Sequence, residues 1–309
     1  MRWTTADIPD QTGRTVLVTG ANSGLGWYSA KAFARSGARV LLACRDAERG
    51  RAALNSVAAD ATAEPALVEL DLADLASVRK AADEVRERTG DGLDVLLNNA
   101  GVMGPPKRTT RDGFELQIGT NHLGHAALTW LLLPALRERS GARVVTVSSL
   151  AHHGGSLDVD DLNFQRRRYD PMRGYFQAKL ANLLFAAELD RRAERAGLDL
   201  LSAAAHPGMS NTELPTNSAR LRSIPGAERV VGFVNGLITQ PAHRGVLPQL
   251  YAATSPDARG GAYYGPDGFA EITGFPKEAR TSAKARDEQL ARRLWERTAE
   301  LTGIDPGLA

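Results

Sequence analysis

Apolar positions recur along this chain in two alternating rhythms. Short runs of aliphatic and β-branched residues at 14–19, 38–43, 66–70, 93–98, 142–148 and 198–205 read as strands buried on both faces. Between them, 27–37, 46–59, 74–89, a long stretch near 112–139 and 173–196 carry the wider spacing of amphipathic helices. Strand and helix alternate without an internal repeat or a linker. That order predicts an α/β fold: one domain over residues 1–309, built on a doubly wound parallel sheet with helices on both faces. Residues 209–236 are rich in Ser, Asn, Pro and Gly and break the alternation, so they are expected to form a flap over a site. A last amphipathic helix is expected near 280–302, with Trp295 on its packed side.

Composition narrows the picture. A length of 309 residues suits one large α/β domain with a substantial core. A net charge of +2 gives no strong pull toward nucleic acid or a membrane surface. The single cysteine excludes an internal disulfide and fits a reducing, cytoplasmic setting. The N-terminal residues Met1 to Pro9 lack an apolar signal region. The longest apolar stretch, Ala126 to Leu136, is about half a membrane span and contains Thr129 and Pro134, so it reads as a buried helix and no membrane anchor is expected.

Candidate chemistry begins at Thr19-Gly20-Ala21-Asn22-Ser23-Gly24-Leu25-Gly26, between the first strand and the first helix. Glycines at a strand-to-helix turn let a pyrophosphate reach the N–H groups that open the helix, where side chains would block it. The context is therefore that of a Rossmann-type dinucleotide site. At the end of the second strand, where NAD enzymes usually carry an acid for the ribose 2′-hydroxyl, stand Cys44 and Arg45. A guanidinium there can pair with a 2′-phosphate, with Asn22 and Ser23 adding hydrogen bonds. This points to NADP(H). Two alternatives stay open at this point: Arg45 as a solvated loop residue, and Asp46 as a ribose ligand.

Further along, Tyr175 and Lys179 lie one helical turn apart. A free tyrosine, with a pKa of about 10, is a poor base at neutral pH. A lysine on the same helix face is expected to favour the phenolate and lower that value.

These features, with others in the same order, resemble the short-chain dehydrogenase/reductase family over about residues 12–265. The landmarks are the glycine run, Asp71-Leu72, Asn98-Asn99-Ala100-Gly101, Asn121, Val147-Ser148-Ser149, Tyr175 with Lys179, and Pro207-Gly208 with Thr212. Ala43-Cys44-Arg45-Asp46, Asn121-His122-Leu123-Gly124-His125, Ser149-Leu150-Ala151-His152-His153 and Lys179-Leu180-Ala181-Asn182 are similar to the retinol dehydrogenase and protochlorophyllide reductase-like branch. The resemblance implies an oxidoreductase that interconverts an alcohol and a carbonyl with NADP(H). It implies that Tyr175 acts as acid/base, that Lys179 also holds the nicotinamide ribose, that Ser149 binds the substrate oxygen, and that Asn121 holds a relay water. Gly20, Asn22, Ser23, Gly24, Leu25, Gly26, Arg45, Asp71, Leu72, Asn98, Ala100, Gly101, Tyr175, Lys179, Pro207, Gly208 and Thr212 would line the cofactor. The substrate would be a small-molecule carbonyl or alcohol, apolar in character, bounded by 150–174, 209–236 and the region of Tyr263. Other readings of this fold are a non-catalytic NADP(H)-sensing protein and a light-dependent ring reductase.

Two departures stand out. Ser149 and Tyr175 are 26 positions apart, about twice the family's spacing. The extra segment holds Asp158 to Leu162 and Arg166 to Asp170; it can line the pocket or hinder the helix pairing that makes family dimers and tetramers, so homodimer, homotetramer and monomer all remain open. Ser148 precedes Ser149, and the register of the serine is ambiguous by one position. His122/His125 and His152/His153 read as packing residues, since no acid or cysteine stands at metal-ligand spacing. Arg166-Arg167-Arg168 reads as a solvated loop. Asp160/Asp161 do not read as an acid/base pair.

Overall fold

The computed structural model describes residues 2–211 and 240–308. Thr212, and the expected flap from 212 to 236, lie outside the described residues. Six strands, β1 (Thr15–Thr19), β2 (Arg39–Cys44), β3 (Ala66–Glu69), β4 (Val95–Asn98), β5 (Ala142–Val147) and β6 (Leu200–Ala205), pair in parallel in the order β6-β5-β4-β1-β2-β3. Their side chains alternate between two apolar layers. Leu17, Leu41, Leu96 and Val144 enter one core with α3 (Leu75–Thr89), α5 (Gly124–Arg137) and α6 (Pro171–Arg195). Val16, Val18, Val40, Leu42, Val95 and Val145 enter the other, against α1 (Gly24–Arg35) and α2 (Ala47–Ala58). A strand covered on both faces needs apolar residues at both parities, and this is why the runs read as continuous rather than alternating.

Helix starts follow local chemistry. Asp46, Asp74 and Asp170 cap α2, α3 and α6 by accepting first-turn N–H groups. Pro171 opens α6, where its fixed φ suits the first turn. The long helix expected near 112–139 begins later, at α4 (Leu116–Ile118), and passes through a π-turn, Gly119–Leu123, before α5.

The strand pattern in the sequence stops at residue 205, but the sheet does not. A two-residue pair, β7 (Ser210–Asn211) with β8 (Gln240–Pro241), stands apart from the main sheet. Beyond β6 the main sheet adds β9 (Tyr263–Pro266) in parallel and β10 (Pro276–Glu278) antiparallel at the edge. The expected all-parallel sheet therefore carries one antiparallel edge strand. The Tyr-Tyr-Gly-Pro run reads as a turn locally, yet Tyr263 and Tyr264 are buried beside β6. The C-terminal helix also starts later than expected, at Glu288–Thr302, because 276–278 join the sheet and Asp287 supplies the cap. Trp295 is buried, stacked on Phe185 at 5.5 Å and edge-on to Trp130 at 4.8 Å.

Candidate active site

β1 and β4 are neighbours whose chains leave in opposite directions, β1 toward β2 and β4 toward β5. Such a switch point opens a crevice at the carboxyl ends of the strands. Gly20 and Gly24 adopt left-handed backbone, φ +67° and +54°, so the turn doubles back on itself. A Cβ on Gly26 would enter the Gly20 carbonyl oxygen and come within 2.6 Å of Asn99 Nδ2. The glycines thus let α1 approach the turn closely. Ser23 caps α1 with its backbone only, and its hydroxyl makes no capping bond. The first N–H groups of α1 lack intrahelical acceptors, and a helix start of this kind is suited to a pyrophosphate.

At the end of β2, burial pushes the Cys44 thiol up to about 11, and the N–H groups of Ala21 and Asn22 point at its sulfur. This cysteine is a floor beneath the glycine turn, not a reactive group. Arg45 is exposed just past β2. The Asp46 carboxylate is committed to the α2 cap, accepting Glu48 N–H and Arg49 N–H at 3.0 Å each. Arg49, which the sequence reading passed over, lines an open cleft of about 380 Å³ together with Asn22, Ser23, Gly24 and Trp27. Asp71 folds back to accept Ala73 N–H at 3.0 Å, and Leu72 packs tightly against Gly124 of α5. Asn98 is buried with its amide donating to Thr129 at 2.9 Å, so Ala100 and Gly101 form the more open part of that turn.

Across the crevice, the two serines diverge. Ser148 is buried and donates to the Lys179 carbonyl oxygen at 2.8 Å, behind α6. Ser149, in extended backbone, accepts the Ala151 N–H at 3.2 Å, and its hydroxyl lies beside the Tyr175 phenol. Burial raises the Tyr175 pKa, and the Ser149 bond opposes that rise. The direction is opposite to the expected lowering by Lys179. The Lys179 ammonium lies 5.7 Å from the Tyr175 ring centroid and donates to the Val147 carbonyl at 2.9 Å, while burial drives its own pKa down to about 8. Desolvation of the phenol sets the direction, and the contact that opposes it is with Ser149. Asn182, one turn beyond Lys179, donates to the same Val147 oxygen at 3.1 Å.

Asn121 sits in the π-turn, a distortion frequent at functional sites. Its amide grips Val102 at both ends: Val102 N–H donates to Oδ1 at 2.8 Å, and Nδ2 donates to Val102 O at 2.9 Å. A Cβ on Gly101 would lie 3.2 Å from Asn121 Oδ1 and 3.8 Å from Lys179 Nζ. Gly101, Asn121 and Lys179 thus meet in one place. Gln117, another residue the sequence did not flag, accepts Gly104 N–H and donates to Tyr169 and to the Pro171 carbonyl, tying the 100–107 loop to the start of α6.

The far wall is Pro207-Gly208. Gly208 has φ +65° and donates its N–H to His206 Nδ1 at 3.2 Å. His206 Nε2 in turn meets Glu271 at 3.2 Å, and Met209 N–H donates to the Ile272 carbonyl. The inserted segment is built rather than loose. Asp161 accepts N–H groups from Gln165, Arg166 and Arg167, and Arg167 also bridges to Gln177 of α6. Arg167 is therefore a structural anchor, a correction to the expected solvated arginine run. The histidines also have bonded places: His122 on Thr298, His125 between Thr19 and Asn121, His152 on the Ser149 carbonyl. Among the described residues no three His, Cys, Asp or Glu side chains gather as a metal set, and no helix is long and apolar enough to cross a membrane.

Comparison with known proteins identifies the family. Residues 14–159 match the family model described as short chain dehydrogenase. Human retinol dehydrogenase 13 is 39% identical over 303 residues, covering 97% of this chain and 87% of the relative. Mouse polyprenol dehydrogenase is 40% identical over 307 residues, with the same coverage of 97% and 87%. A crystal structure of an uncharacterised protein from Mycobacterium paratuberculosis superposes with a TM-score of 0.82 at 44% identity, covering 100% of both chains.

Proposed function

Because the chain belongs to the short-chain dehydrogenase/reductase family, we propose that it is an NADP(H)-dependent oxidoreductase interconverting an apolar alcohol with its aldehyde or ketone. The observation that carries this reading is the meeting of the Ser149 hydroxyl with the Tyr175 phenol, with Lys179 on the same helix face and Asn121 and Gly101 beside it.

The residues divide the work. NADPH supplies the hydride when bound. Gly20, Gly24 and Gly26 leave room for its pyrophosphate, and the α1 N–H groups would hold it. Ser149 orients the substrate oxygen and stabilises charge on it. Tyr175 donates the proton to that oxygen in reduction and takes it back in oxidation. Lys179 holds the ribose and supplies positive charge near the phenol. With the Asn121 amide spent on Val102, a relay water would share its main-chain carbonyl with His125 Nδ1, using the second lone pair. Pro207 and Gly208 bound the nicotinamide side.

Preference for NADP(H) is supported by the exposed Arg45 and by the engagement of Asp46 in a helix cap, which removes the nearest carboxylate as a ribose ligand. An apolar substrate is supported by the relatives' names, retinol and polyprenol dehydrogenase. The large apolar side chains left exposed among the described residues point the same way. Met172 is one turn before Tyr175, Met209 follows Gly208, and Phe269 is on the hairpin that carries Ile272.

The test is a panel of aldehydes and ketones with NADPH absorbance as the readout, repeated with Arg45→Ala. Long-chain apolar carbonyls are expected to be consumed. Arg45→Ala should weaken NADPH binding by about tenfold or more, since a charge-assisted contact is worth about 1.5–3 kcal/mol, with NADH little changed. Equal losses for both nucleotides would remove the NADP assignment. The serines give a separate expectation: Ser149→Ala should lower kcat by about a hundredfold, the scale of one lost oxyanion donor. Ser148→Ala should act mainly on thermal stability. A reversed order would place the substrate oxygen at Ser148.

A further inference from the structure

His125 lies beneath the site, fully buried, and joins its two halves. Its Nδ1 is 3.0 Å from the Asn121 carbonyl oxygen and its Nε2 is 2.9 Å from Thr19 Oγ1. A carbonyl only accepts, so Nδ1 carries the proton, and Nε2, at 2.9 Å, is a nearer acceptor for the Thr19 hydroxyl proton than the Leu97 carbonyl at 3.3 Å. The two lone pairs of that hydroxyl take the N–H groups of Asn99, at 2.9 Å, and Ala100, at 3.0 Å. Every donor and acceptor in the line has a partner. Burial first, with the Lys179 charge adding to it and the Asn121 bond opposing, brings the His125 pKa down to about 4, so the ring stays neutral and keeps this pattern near neutral pH.

The line ties the two parts together from beneath, in addition to the Asn121–Val102 bonds at the far end of the turn. Thr19 ends β1, and its hydroxyl and carbonyl hold the Asn99-Ala100 turn, Asn99 Nδ2 donating to Thr19 O at 2.8 Å. Asn121 belongs to the π-turn, held on its other side by Val102. We propose that His125 is a positioning residue that couples the Asn98–Gly101 cofactor turn to the Asn121 carbonyl. Movement of the turn is then transmitted through His125 to the Asn121 carbonyl. The inference rests on the oxidoreductase reading above for what each half does.

Two conservative variants separate the halves. His125→Asn keeps a donor near the Nδ1 position and drops the Thr19 contact. His125→Gln keeps an acceptor near Nε2 and drops the Asn121 contact. The measurements are the NADPH Kd by titration, amide hydrogen exchange over residues 98–101, and kcat. His125→Asn should weaken NADPH binding by about tenfold and speed exchange in the turn, with a smaller fall in kcat, on the scale of one lost hydrogen bond. His125→Gln should show the reverse: a kcat loss of about tenfold and a smaller change in Kd. Equal losses in both variants, or losses in neither, would overturn the coupling. A wild-type protein that binds NADPH but reduces nothing would sink the proposed activity alone, and the binding and exchange comparison would still decide the coupling.

Discussion

Tyr175→Phe is expected to lower kcat by about a thousandfold while the NADPH Kd changes by less than about threefold, because one positioned acid/base group contributes on the order of 10²–10⁴ in rate. The phenylalanine ring fills the same buried space, and only the hydroxyl facing Ser149 is lost. That hydroxyl is the group proposed to give the substrate oxygen its proton. Lys179→Ala should behave differently, weakening NADPH binding as well as turnover, because the same ammonium is proposed to hold the ribose. Steady-state rates beside a cofactor titration separate the two variants. Full activity of Tyr175→Phe on the physiological substrate would end the proposed mechanism. A Tyr175→Phe protein that also failed to bind NADPH would show that the phenol has a structural part.

Gly26→Ala is expected to reduce NADPH affinity by at least about a hundredfold, because a displacement of about 1 Å at a positioned group costs on that order. The added Cβ would overlap the Gly20 carbonyl oxygen and lie 2.8 Å from the Gly20 carbonyl carbon. Both are backbone atoms, so no side-chain rotation relieves the clash and the start of α1 must shift. Overpacking of this kind typically costs about 1–3 kcal/mol of stability as well. Gly197→Ala is the matched control: its φ of +66° makes any side chain strained, yet a Cβ there meets nothing within 4 Å. That variant should lose some stability, about 1 kcal/mol, and keep its affinity. Nucleotide titration and thermal unfolding of both proteins provide the comparison. Normal NADPH binding by Gly26→Ala would mean that the glycine turn is not the pyrophosphate cradle.

What was legible in the sequence was local. The parallel strands from β1 to β6 and the helices between them follow from apolar runs, glycine stops and aspartate caps that lie within a few residues of each other. Tyr175 and Lys179 share a helix face because they are four residues apart. What was missed was non-local. β9 and β10 are too short and too rich in Gly and Pro to read as strands, and only pairing makes them so, β9 on β6 and β10 on β9. Asp46 reads equally well as ribose ligand or cap until α2 is seen to start beside it. His125 reads as a packing histidine; its tautomer and partners depend on Thr19, more than a hundred residues away.

The sequence by itself therefore determined the kind of fold, the place of the glycine turn and the pairing of Tyr175 with Lys179. Each depends on periodicity and turn chemistry written along a short stretch of chain. Only the tertiary structure decided which serine faces the phenol and which way the Tyr175 pKa moves. Side chains on extended backbone alternate in direction, so Ser148 and Ser149 must point opposite ways. Which of them meets α6 from behind depends on the register of β5 against β4 and β6, set by contacts distant in sequence. The phenol's pKa is likewise set by how much solvent the assembled walls exclude, which the spacing of Tyr175 and Lys179 along one helix does not contain.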